Sequence, residues 1–200
     1  MTEVTTSARK DDHIRINLER DVQSDMVSTG LERLYFEHQA LPEIDMAAID
    51  TKLTVFGRQL SAPLLISCMT GGSARSGEIN RALANAAQSA RVALGLGSMR
   101  VAIENPETVA SFQVRDIAPD VLLMANIGAV QLNYGIGVED CRSIIEVAKA
   151  DALVMHFNAL QEAVQPEGDT DFSGLLAKVE QVCTALARDD IPVVAKEVGW

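Results

Sequence analysis

The chain has 200 residues, 48% of them hydrophobic and 22% charged, a balance that suits one globular domain with a sizeable core. Its 28 acidic residues against 17 basic ones give a net charge of −11, a field that repels polyanions and excludes nucleic acid as an expected partner. No apolar run approaches the ~20 residues of a membrane helix, and the polar N-terminus lacks a signal-peptide core, so a cytoplasmic protein without membrane association is expected. Cys68, Cys141 and Cys183 are odd in number and form no CxxC pair, which predicts reduced, mainly buried thiols rather than a disulfide framework or a zinc site.

In chain order, residues 1–60 show no regular alternation and read as an irregular extension with one helical piece near Ser28 to Glu37. From about Pro63 a short apolar run, a break rich in Gly, Ser or Asn, and an amphipathic stretch recur. The runs are PLLISCM, RVALGLGSM, VLLMANIG, ALVMHFN and PVVAKEVG. Between them, Ile79, Leu83, Ala86 and Ala90 form one stripe at helical spacing. Val138, Cys141, Ile145 and Ala148 form a second, and Leu175, Leu176, Val179 and Cys183 a third. Asn105 followed by Pro106 supplies an N-cap and a first helical residue for a helix through Val109 and Phe112. Continuous apolar strands alternating with helices predict a parallel sheet covered by helices. Five such strands are visible, where a closed (β/α)₈ TIM barrel has eight and about 250 residues. The expectation is therefore the first five β/α units of such a barrel, at the front of a longer chain, or an open sheet.

In a parallel α/β protein the chemistry gathers at the C-terminal ends of the strands, and the polar residues fall there. The runs end in Met69-Thr70-Gly71-Gly72, in Gly97-Ser98-Met99-Arg100, in Asn126-Ile127-Gly128 and in His156-Phe157-Asn158, and the fifth carries Lys196. Strand period two turns His156 and Asn158 to one face, with Met155 and Phe157 to the other. Lys196 inside an apolar strand is either a fixed cation for a ligand or a lysine reaching to water or to Glu197. Glu167 and Asp169 in QPEGD fit ordinary turn chemistry.

Together these strings carry a resemblance. MTGG, GSMR, NIG, H-x-N-x-x-Q-E followed by QPEG, VAKEVG, and the early Arg9-Lys10-x-x-His13 make the chain similar to type 2, FMN-dependent isopentenyl diphosphate isomerase, from Arg9 to Trp200. One departure is Met99, where the family commonly has glutamine. The resemblance implies an FMN-binding TIM barrel from residue 61 onward, behind an extension over residues 1–60 that contributes substrate-binding residues. It implies conversion of isopentenyl diphosphate to dimethylallyl diphosphate, with FMN, Mg²⁺, NADPH as priming reductant, and a homo-oligomeric state. Cys68, Met69, Thr70, Gly71, Ser98, Asn126 and Lys196 would bind the cofactor. Arg9, Lys10, His13, Ser98, Arg100, His156, Asn158 and Gln161 would bind substrate, the cationic residues suiting a diphosphate. Gln161 cannot titrate and takes a positioning or proton-relay role in catalysis. Glu162 would be the metal ligand, since Mg²⁺ on a diphosphate needs only one or two carboxylates. The alternatives are an FMN-dependent α-hydroxy-acid oxidase or dehydrogenase on the same barrel, and a non-catalytic half-barrel whose edges associate.

Overall fold

The computed structural model describes residues 6–24 and 26–199, with the side chains of residues 6–11 and 13 outside that description. A first helix, α1 (Thr6–Glu19), precedes the extension. It lacks an apolar stripe, and the sequence analysis did not find it. Its surface carries Arg15 between Asp12 and Glu19, at 2.8 and 3.6 Å. The helical piece expected over residues 28–37 is reduced to one 3₁₀ turn, Leu31–Arg33, behind Gly30 in the left-handed region. Tyr35 and Phe36 are fully exposed there, so no packing sustains a longer helix.

An antiparallel hairpin follows, β1 (Leu53–Val55) and β2 (Arg58–Leu60), joined through Phe56 and Gly57 with φ of 47° and 77°. Two successive residues at positive φ match the right-handed twist of such a hairpin. The main unit then runs β3 (Leu65–Ile66), α2 (Ala74–Ala90), β4 (Ala93–Gly95), α3 (Arg100–Glu104), β5 (Leu123–Gly128), α4 (Val138–Ala148), β6 (Ala152–His156), α5 (Ala159–Val164), α6 (Leu175–Arg188) and β7 (Val193–Lys196). The stretch after Asn105 is a 3₁₀ helix, Pro106–Phe112, capped by the Asn105 side chain.

All neighbours in the five-stranded sheet are parallel, and the order β3-β4-β5-β6-β7 is the order of the chain. A doubly wound sheet reverses its strand order at a switch point, whereas a barrel adds each strand beside the last. The sheet is accordingly the curled first part of a TIM barrel rather than an open doubly wound sheet.

Side-chain parity separates two cores. Leu123, Ala125, Ile127, Leu153 and Met155 face the helices and join Phe112, Ile144 and Leu186. Leu122, Met124, Ala152 and Val154 face the barrel interior with Cys68 and with Leu60 of the hairpin. The stripe of α4 packs inward at Cys141, Ile145 and Ala148 as its spacing predicts. Helix α2 is rotated from the predicted stripe: Ala86 and Ala90 are exposed, and Ser76, Asn80, Ala84 and Ala87 face inward. Asn80 is drawn in because its Nδ2 donates to the carbonyls of Thr70 and Ser111, at 3.3 and 3.0 Å. In α6, Leu176 is exposed and Val182 and Leu186 are buried instead.

The hairpin is tied across the N-terminal end of the barrel. Asp151, just before β6, accepts from Arg58 Nε and Nη2 at 3.0 and 2.6 Å, from Arg115 Nη2 at 2.8 Å and from the Leu123 amide at 2.9 Å. Cys68 and Cys141 are buried and Cys183 half-buried, all as free thiols. Among the described residues no helix is long and apolar enough to cross a membrane.

Candidate active site at the strand ends

Strand period two continues the interior face upward. After Met124 comes Asn126, after Val154 comes His156, and after Val194 comes Lys196, so three polar side chains emerge above the apolar interior. Register makes His156 and Lys196 direct partners on β6 and β7. Asn126 Oδ1 lies 3.1 Å from His156 Nδ1. A cavity of ≈ 170 Å³ opens above them.

Ten of the expected cofactor-, substrate- and metal-binding residues line this cavity. Cys68 and Met69 come from the loop after β3, Ser98 from the loop after β4, Arg100 from the start of α3, and Asn126, His156 and Lys196 from the next three strands. Asn158, Gln161 and Glu162 complete the set, and the last two sit on the first turns of α5 rather than in a loop. Thr70 and Gly71 lie outside the lining. The Thr70 carbonyl accepts from Gly97 N at 2.9 Å, fixing the β3 loop against the β4 loop. Gly71 backs onto Phe112, where a Cβ would lie 2.0 Å from the ring. Met99 is fully buried in the helix-side core, so the apolar residue fits that position without reaching the cavity. The side chains of Arg9, Lys10 and His13 lie outside the described residues.

Glu162 is 5% exposed, and both carboxylate oxygens are anchored. Asn158 Nδ2 donates to Oε1 at 2.8 Å and the Asp169 amide to Oε2 at 2.9 Å. The QPEGD loop can return this closely because residue 168 is glycine: a Cβ there would lie 1.8 Å from the Glu162 carbonyl. Arg100 donates from Nε to Glu104 at 2.5 Å and from Nη1 to Asp169 at 2.5 Å. Burial opposes its charge, but these two carboxylates outweigh burial and hold the guanidinium pKa above its ordinary value. Lys196 pairs with the adjacent Glu197. Burial pushes the Cys68 thiol up to about 11, outweighing the lowering effect of the nearby Lys196 charge. Near neutral pH it is a protonated thiol and no nucleophile.

Three amide atoms in the cavity wall are buried without a partner: Asn126 Nδ2, Asn158 Oδ1 and Gln131 Oε1. Buried polar atoms are ordinarily bonded, so one donor and two acceptors are left for a polar ligand. Gln131, from the 3₁₀ turn after β5, was missed in the sequence, although it follows the polar end of β5 by three residues. Asp169, whose place in QPEGD fits turn chemistry, also bonds to Arg100 and Gln131. Among the described residues no group of three or more His, Cys, Asp or Glu could hold a metal by itself.

The sequential parallel sheet and its polar strand ends define a (β/α)-barrel protein with its site at the C-terminal ends of the strands. The chain belongs to the FMN-dependent dehydrogenase family, whose model matches residues 7–126. Within it the chain is similar to proteins named isopentenyl-diphosphate delta-isomerase. The Nostoc sp. protein is 53% identical over 194 residues, 97% of this chain and 55% of that one. The Synechocystis sp. protein is 52% identical over 195 residues (98% and 55%), and the Rickettsia felis protein 52% over 192 (96% and 54%). The chain spans about half the length of the curated relatives it matches.

Proposed function

We propose that the full-length protein containing this chain is an isopentenyl-diphosphate delta-isomerase that works with reduced FMN. The observation that carries it is the meeting of Asn126, His156, Asn158, Gln161, Glu162 and Lys196 in one cavity, in a chain about half identical to proteins of that name. FMN, when bound and reduced, supplies an electron-rich ring with an exchangeable proton beside an otherwise apolar hydrocarbon. The residues present fit its ring end. The unpartnered Nδ2 of Asn126 and the Ser98 hydroxyl are hydrogen-bonding groups, and Lys196 is a cation for charge on a reduced ring. Cys68 and Met69 add apolar wall, while Thr70 and Gly71 act through the loop backbone.

Arg100 and His156 hold the diphosphate, joined by Arg9, Lys10 and His13, and Asn158, whose Nδ2 is engaged by Glu162, meets it through a water donated to its free Oδ1. Glu162 fits as one carboxylate ligand of a Mg²⁺ shared with that diphosphate, since a carboxylate has about four lone-pair sites and two are in use. Gln161 orients the substrate or relays a proton. NADPH serves as priming reductant, and the protein acts in the cytoplasm as a homo-oligomer.

The test is an anaerobic incubation of the full-length protein with isopentenyl diphosphate, FMN, Mg²⁺ and NADPH. Dimethylallyl diphosphate should accumulate without stoichiometric consumption of NADPH. Flavin reduction by an α-hydroxy acid, with no dimethylallyl diphosphate formed, would identify an oxidase or dehydrogenase instead.

A further inference from the structure

Asp169 makes more contacts than a turn residue needs. Its carboxylate is 17% exposed, and Oδ2 accepts both from Arg100 Nη1 at 2.5 Å and from Gln131 Nε2 at 3.0 Å. Its backbone amide donates to Glu162 Oε2 at 2.9 Å. One residue thus joins groups from the ends of three strands: Arg100 after β4, Gln131 after β5 and Glu162 after β6. The bond to a carboxylate also fixes the Gln131 amide, because only Nε2 can donate, and this leaves Oε1 as the buried unpartnered acceptor in the cavity wall.

We propose that Asp169 is a positioning residue of the site, setting Arg100 for the diphosphate and Glu162 and Gln131 for the cation bound to it. This rests on the diphosphate chemistry proposed above. Arg100 has five N–H donors, and Glu104 and Asp169 take one each, so a held guanidinium still offers the rest to phosphate oxygens. A planar donor fixed from two sides loses less side-chain freedom on binding than a free one. Gln131 Oε1 suits a donor such as a cation-bound water.

Asp169 also brings negative charge near an anion, so its removal has two opposite effects. Loss of positioning weakens diphosphate binding, and loss of repulsion strengthens it. In D169N the backbone bond to Glu162 and an acceptor oxygen for Gln131 remain, so the positioning that is lost acts through Arg100 and a double-mutant cycle separates it from the lost repulsion. The full-length protein is titrated with inorganic diphosphate and Mg²⁺ by calorimetry, as wild type, D169N, R100A and the pair. D169N keeps the backbone bond to Glu162 and the shape of the side chain, which favours folding, and D169A serves as the second variant.

In the presence of Arg100, D169N should raise Kd about ten-fold. In the R100A background the same change should leave Kd within about two-fold or lower it. The KM for isopentenyl diphosphate should follow Kd, with kcat changed less, the pattern of lost uniform binding. Equal weakening with and without Arg100, or no weakening at all, would overturn the assignment. So would a wild-type protein that binds no diphosphate. A wild type that binds diphosphate but forms no dimethylallyl diphosphate would sink the proposed function, and the Kd cycle would still decide on Asp169.

Discussion

Glu162→Gln is expected to raise the Mg²⁺ concentration needed for half-maximal turnover by about 10–100-fold or more, and to weaken diphosphate binding in parallel. The fold should survive. The amide oxygen can still accept from Asp169 N, and its NH₂ would face Asn158 Nδ2, two donors in opposition. Asn158 relieves this by turning its own amide, because its Oδ1 has no partner in the present arrangement. Shape and burial are thus kept while the charge is lost. Activity measured across a Mg²⁺ titration checks the effect. Lost turnover with an unaltered Mg²⁺ requirement would move Glu162 from metal binding to proton transfer.

Asp151→Ala is expected to cost about 3–5 kcal/mol of stability, without touching the cavity. The side chain is 15% exposed and accepts four hydrogen bonds, so truncation strands two arginines and the Leu123 amide. Arg115 keeps its bonds to the carbonyls of Ala118, Val121 and Lys149, but its charge loses its partner. Arg58 loses the tie that holds the hairpin across the barrel floor. For a protein of roughly this size the melting temperature should fall by about 10 °C. Urea unfolding of wild type and variant checks it, and a loss below ~1 kcal/mol would show that the hairpin is held by Leu53, Val55 and Leu60 alone.

The five strands were legible because each is a continuous apolar run between polar breaks, the pattern that burial on both faces imposes. The direction of His156, with Met155 and Phe157 turned to the other face, followed from period two alone. What was not legible depends on contacts distant in sequence. Asp169 reaches Arg100 and Gln131 across separations of 69 and 38 residues, and local spacing carries no trace of either. The face of α2 was misread because Asn80 and Ser76 are buried for their hydrogen bonds, which a hydrophobic stripe ignores. The β1–β2 hairpin was missed since its turn places Phe56, not glycine, at the first positive φ. Helix α1 has no apolar face to signal it.

The interior-facing ends of these strands are proposed here as the binding face for a reduced flavin. That role is tested most directly by the flavin midpoint potential of the full-length protein with and without Lys196→Met. Lys196 sits at the inner end of β7, beside His156, with Glu197 as its partner when no ligand competes for it. Removing a cation that stabilises the reduced ring should lower the two-electron potential by about 30 mV or more, equivalent to ~1.4 kcal/mol. Turnover should fall with it, while the Mg²⁺ requirement stays unchanged. An unaltered potential together with unaltered turnover would show that Lys196 does not face the flavin.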